Sequence, residues 1–237
     1  MKNQIVTAHN LSKRLGNRQR GFTLVEIAIV LVIIGLLLGG ILKGQEMITQ
    51  AKIKNIVNDF NGITAAMNSY QDRYRAIPGD DRNALTRWTT QGLPSPVGTM
   101  NGNGVITGAY NKSLSAPPAA ADESNLFWWH LRLSGFVGGP TTGIAAAIQP
   151  NNAVNGIMGV QTGDGTATTL LFGSLIICTS NLPDKIAIAV DSQMDDGSPN
   201  GGQVRGQSQT APNPDLLLAA TGYQETGVNQ YLLCKTL

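Results

Sequence analysis

Apolar residues follow three successive patterns along the chain. From Phe22 to Leu42 the run FTLVEIAIVLVIIGLLLGGIL is apolar on every side and holds one ionisable residue, Glu26. At 1.5 Å per residue it is long enough to cross a hydrocarbon core of about 30 Å, and a lone carboxylate there calls for a positive partner. Beyond Lys43 the pattern becomes amphipathic. Ile53, Ile56, Phe60, Ile63, Met67, Tyr70 and Tyr74 recur at steps of three and four, with Lys52, Lys54, Asn55, Asn58 and Asp59 between them, which predicts one helix over 22–75 whose second half is covered by the rest of the chain. Pro78 and Gly79 end it. A Gly-, Pro- and Asn-rich stretch follows, with tight turns at Asn101–Gly108 and a short helix at Glu123–Phe136 that places Leu126, Trp129, Leu133 and Phe136 on one face. Thereafter Leu170–Cys178, Lys185–Asp191, Leu216–Ala220 and Val228–Cys234 are apolar or alternating runs, read as strands of a small antiparallel sheet with one face against the long helix.

Charge adds a direction to this layout. The formal net charge is +2, but Lys2, Lys13, Arg14, Arg18 and Arg20 all precede the apolar run, so removing these five positive charges leaves −3 for the remainder. The body is mildly acidic, which argues against nucleic-acid binding. The positive-inside rule keeps the basic end cytoplasmic and exports everything after Leu42. In the exported part Cys178 and Cys234 are either a disulfide or two buried thiols, and an oxidising compartment allows the bridge.

Catalytic patterns are missing. The sequence holds no G-x-S-x-G, H-E-x-x-H or C-x-x-C, and the Asn101–Gly108 turns lack the P-loop spacing. His130 is the one exported histidine and reads as packed rather than metal-bound, and its aromatic neighbours Phe127, Trp128 and Trp129 read as core or subunit contact rather than as a sugar platform. No enzyme is expected.

The apolar run is too long for a signal-peptide core, and no small-residue cleavage site follows it. The small residue comes before it: Gly21, after a basic leader, precedes Phe22 in GFTLVE, Gly21–Glu26. This arrangement resembles the class III leader of type IV pilins and type II secretion pseudopilins. The resemblance implies cleavage by prepilin peptidase between Gly21 and Phe22, N-methylation of Phe22, and a role for Glu26 in assembly. Glu26 would then neutralise the new α-amino group of Phe22, in a neighbouring subunit or in its own chain.

It implies further an α+β pilin fold, a long N-terminal helix packed on a small antiparallel sheet with a loop-rich exported domain. The expected divisions are a cytoplasmic leader at 1–21, the long helix at 22–75, spanning the membrane at 22–42, and a globular domain at 76–237. The expected function is structural: a type IV pilus subunit for adhesion, motility or DNA uptake, or alternatively a type II secretion pseudopilin, with a membrane-tethered binding or enzymatic domain as the third reading. Partners would be other copies in a filament, other pilins, prepilin peptidase, and an assembly platform with its ATPase. The subunit would sit in the inner membrane first and in an extracellular or periplasmic filament later. No cofactor is expected beyond calcium. Asp191, Asp195 and Asp196, with Ser198 and Asn200 nearby, form either a solvated acidic turn after a strand or a loop calcium site of oxygen ligands.

Overall fold

The computed structural model describes residues 21–88, 100–113, 122–217 and 222–237. Residues 1–20 of the leader and 218–220 at the end of the third predicted strand lie outside them. The chain divides into two compact units, one ending at Glu46 and the other running from Met47 to Leu237. A single helix, α1 (Leu24–Tyr74), contributes to both.

Within the first unit α1 is apolar all round from Leu24 to Leu42 apart from Glu26, and none of that stretch is buried by the chain itself. Such a helix has no interior of its own making, and hydrocarbon or other helices must supply one. In the second unit the sequence stripe becomes a buried face, with Ile53, Ile56, Phe60, Ile63, Met67 and Tyr70 all in the core. The helix stops because Arg75 takes a left-handed conformation, φ 54°, with its N–H on the Gln71 carbonyl at 2.8 Å, and Pro78 follows.

The stripe shares its core with a four-stranded antiparallel sheet of order β1-β2-β4-β3. The strands are β1 (Met158–Thr162), β2 (Leu175–Pro183), β3 (Val204–Gln209) and β4 (Gln230–Thr236). Side-chain alternation sorts them to two faces. Ile177, Val204 and Leu233 join the α1 stripe, whereas Ile176, Cys178, Leu232 and Cys234 turn to a second cluster with Tyr110, Leu170 and Phe172. Both faces of the sheet are therefore covered.

Among the described residues the second unit also holds three shorter α-helices, α2 (Ala84–Arg87), α3 (Glu123–Leu133) and α4 (Asp184–Met194). Helix α3 is buried on all sides. Phe127, Trp128 and Leu131 enter the main core, while Leu126 and Trp129 pack on Ala146 and Ala147, a turn held by Arg132, which donates to the carbonyls of Ala145, Ala146 and Ile148.

Several predicted strands are corrected. Lys185–Asp191 is not a strand but most of α4: burial of Ile186, Ala187, Val190 and Asp191 follows a helical face, and Pro183 with Asp184 opens the helix. The run at Leu170 begins as turns and reaches a strand only at Leu175, and Leu216 and Leu217 belong to no strand. The last predicted strand is β4, shifted two residues toward the C-terminus.

Candidate functional site

The head of α1 starts from a non-helical Gly21–Thr23 segment in which Phe22 is 83% exposed. Thr23 and Glu26 then form a capping box. Thr23 N–H donates to Glu26 Oε2 at 2.8 Å, the Thr23 hydroxyl donates to the same oxygen at 2.8 Å, and Glu26 N–H donates to Thr23 Oγ1 at 3.3 Å. These bonds satisfy helix-end donors that would otherwise be left open, and they hold the carboxylate at the positive end of the helix dipole. Sequence reasoning singled out Glu26 and missed Thr23, although the T-x-x-E spacing is the capping-box signature. Glu26 thus has a partner within this chain other than the amine expected at Phe22. The predicted cleavage residues Gly21 and Phe22 lie immediately before the capped helix.

From there α1 runs through an 18-residue window of mean hydropathy 2.8, long and apolar enough to cross a membrane. Its position near the N-terminus suggests membrane anchoring. Gly35 with Gly39, and Gly40 with Gly44, form two small-residue pairs on different sides of the helix, and at each of the four a Cβ would meet nothing within 4 Å. Just past the apolar run, Lys43 pairs with Glu46 at 2.7 Å.

The predicted cysteine pair is a disulfide between Cys178 of β2 and Cys234 of β4, directly opposite in register with Cα atoms 4.0 Å apart. Both residues are fully buried in the second cluster.

The acidic residues also come together, in the last turn of α4 and the loop after it rather than after a strand. One oxygen from each of Asp191, Asp195 and Asp196 lies within 4.8 Å of the others, and this is the one such group of three or more potential metal ligands among the described residues. Asp191 is fully buried and accepts from the Tyr223 hydroxyl and from Gly197 N–H. Asp195 accepts from the N–H groups of Gln203 and Val204, and Asp196 from that of Ser198. Gly202, at φ 68°, is required there, because a Cβ would stand 1.8 Å from Asp195 Oδ2. Burial raises the Asp191 carboxyl to about 6, and the charges of Asp196 and Asp195 add to the effect, while the Tyr223 and Gly197 bonds oppose it. Oxygens at about 2.4 Å from a shared cation lie no more than roughly 4.8 Å apart, so this all-oxygen set is compact enough for calcium.

Two buried polar groups outside these sites are structural. Asp81 accepts from Arg87 at 2.6 Å and from the Tyr70 hydroxyl at 2.7 Å; burial alone would raise its carboxyl, but these bonds and the Asn83 N–H hold it below the usual range. His130 Nδ1 accepts the Gly79 N–H at 2.8 Å, and burial lowers its pKa to about 4, so the imidazole is neutral. As expected it is a packed histidine. Trp128 and Trp129 are buried as well, so neither is a sugar platform.

A long N-terminal helix packed on a small antiparallel sheet defines an α+β chain consistent with the pilin fold. The family described as the prokaryotic N-terminal methylation motif matches residues 16–42. The chain therefore carries the class III leader of type IV pilins and pseudopilins and is pilin- or pseudopilin-like, which points to a structural protein. No curated protein and no solved structure matches it.

Proposed function

We propose that the chain is the precursor of a type IV pilus subunit. It is held in the inner membrane by residues 22–42, cut by prepilin peptidase between Gly21 and Phe22, N-methylated at Phe22, and assembled through α1 into an extracellular filament that serves adhesion, motility or DNA uptake. The match at residues 16–42, lying across an apolar helix that its own chain leaves uncovered, carries this reading. Cleavage creates an ammonium group at Phe22, one residue from the Thr23 N–H already bonded to Glu26. Glu26 then neutralises that amine or the amine of a neighbouring copy, which fixes register among helices that are otherwise apolar. An assembly platform, its ATPase and other pilins are the implied partners.

The acidic turn favours a second reading, a pseudopilin of type II secretion. There Asp191, Asp195 and Asp196 would hold calcium, supplying a local positive charge that ties α4 to the loop before β3.

Mass spectrometry of the mature chain tests processing: an N-methylated Phe22 terminus is expected, and a mature protein retaining the leader overturns both filament readings. Deletion separates them. Loss of long surface filaments supports the pilus, whereas loss of exoprotein secretion with filaments intact supports the pseudopilus.

A further inference from the structure

The second unit carries a groove of about 270 Å³ beside α1 that its own core leaves open. Asp59, Gly62, Trp128, Phe136, Asn151 and Met158 are among the residues that line it. Three features make it more than a packing gap. The Asp59 side chain is half-buried, and no hydrogen bond or ion pair reaches it among the described residues; burial holds its carboxyl above the ordinary value. The positions three and four residues away on α1 are Asn55, Ile56, Gly62 and Ile63, so its own helix offers no cation. At Gly62 a Cβ would meet nothing within 4 Å, so the α1 side is open to an approaching chain.

An apolar, aromatic wall with an unmatched carboxylate beside it is the chemistry that receives an alkylammonium group. The methylene stem lies along the partly exposed Phe136, Val137 and Pro150 while the charged end meets Asp59. The same helix carries such a group in Lys54, which is exposed. Five residues of helix separate Lys54 from Asp59, about 7.5 Å along the axis and roughly 140° around it, so Lys54 cannot fold back into the groove of its own chain.

We propose that the Asp59 groove receives Lys54 from a second copy of this chain. The proposal rests on the filament reading above and adds to it a specific contact between the exported domains. Groove and lysine are different patches of one surface, so the contact is heterologous and repeats from copy to copy, as an open filament needs.

Cysteines at the two positions test it in cells that produce the full chain and its assembly machinery. In the double variant Asp59→Cys with Lys54→Cys, the two Cα atoms of one chain are about 9 Å apart by helix geometry, too far for an internal bridge. Mild oxidation of sheared filaments should give a reducible ladder of multimers, and either single variant no more than dimers. Charge exchange gives an independent readout: Asp59→Lys should cut filament yield tenfold or more, and adding Lys54→Asp should restore it to within about threefold. Filaments at normal yield without a ladder, or an Asp59→Lys variant that assembles as well as the unaltered chain, overturn the groove contact and leave the filament reading standing. An unaltered chain that forms no filament overturns both.

Discussion

Asp191 joins the fold to the acidic turn, and its substitution by asparagine makes a sharp test. In the unfolded chain the carboxyl titrates at its ordinary 3.8, and in the folded domain at about 6. Between those values the folded protein keeps a proton that the unfolded chain has released, so stability falls as pH rises. The contribution is fully present below 3.8 and is lost as pH passes about 6. Roughly two pH units at about 1.4 kcal/mol each give at most about 3 kcal/mol. Asp191→Asn keeps the size of the side chain and a carbonyl oxygen for the Tyr223 hydroxyl, but it cannot ionise. Urea unfolding of the full chain in detergent, followed through the buried Trp128 and Trp129, gives the free energies. Between about pH 4 and about pH 7.5 the unaltered chain should lose up to about 3 kcal/mol more than Asp191→Asn. On the calcium-binding reading, excess calcium should also remove that difference, because a bound cation favours the ionised carboxylates. Parallel pH profiles for the two proteins without calcium would refute the reasoning.

Other outcomes follow from single contacts. Replacing Cys178 and Cys234 together by serine opens a link between residues 56 apart in sequence and should lower the unfolding free energy by about 4 kcal/mol in the same titration. A loss under about 1 kcal/mol would mean that the unbridged chain is already restrained. Gly159→Ala places a Cβ 1.9 Å from the Tyr110 carbonyl oxygen, so a loss of at least about 2 kcal/mol is expected, read as a lowered urea midpoint. Glu26→Ala should leave leader removal intact by mass spectrometry while sharply reducing filament yield; a normal yield would contradict the pairing with the Phe22 amine.

Much of α1 was legible because two strong periodicities meet in it. An all-round apolar run marks the first unit, and every position of the three-and-four series from Ile53 to Tyr70 is buried, joined by Ala66, which the series did not include. Tyr74, the last of the series, is half-buried against Arg87 and Trp88 instead. The disulfide and the convergence of the three aspartates also followed from the sequence. The sheet was harder to read. Alternating Ile and Ala in IAIAV imitates a strand, but alanine is small enough to lie on either side of a helix, and Pro183–Asp184 supplies the helix start. Strands β1 and β3 carry little apolar alternation because their glutamines bond to neighbouring loops: Gln161 accepts the Tyr110 N–H, and Gln207 bonds Asp215 and Leu217. Polar side chains used in this way hide a buried strand from any hydrophobicity pattern. The Thr23 partner of Glu26 is hidden for a different reason: its T-x-x-E signature is two residues at the mouth of a long apolar run that dominates the local pattern.

The position of β4 sets an order of events during synthesis. It is the last strand in the chain, yet it lies between β2 and β3 and carries one of the two bridged cysteines. While the polypeptide is still emerging, β1 and β2 can pair but β3 has no edge to join, and Leu232 and Leu233 are not yet there to cover either face. Closure of the domain therefore waits for β4. Until then the Ile53–Tyr70 stripe has only part of its cover, so a chain truncated before Gln230 would be left with an unfinished domain.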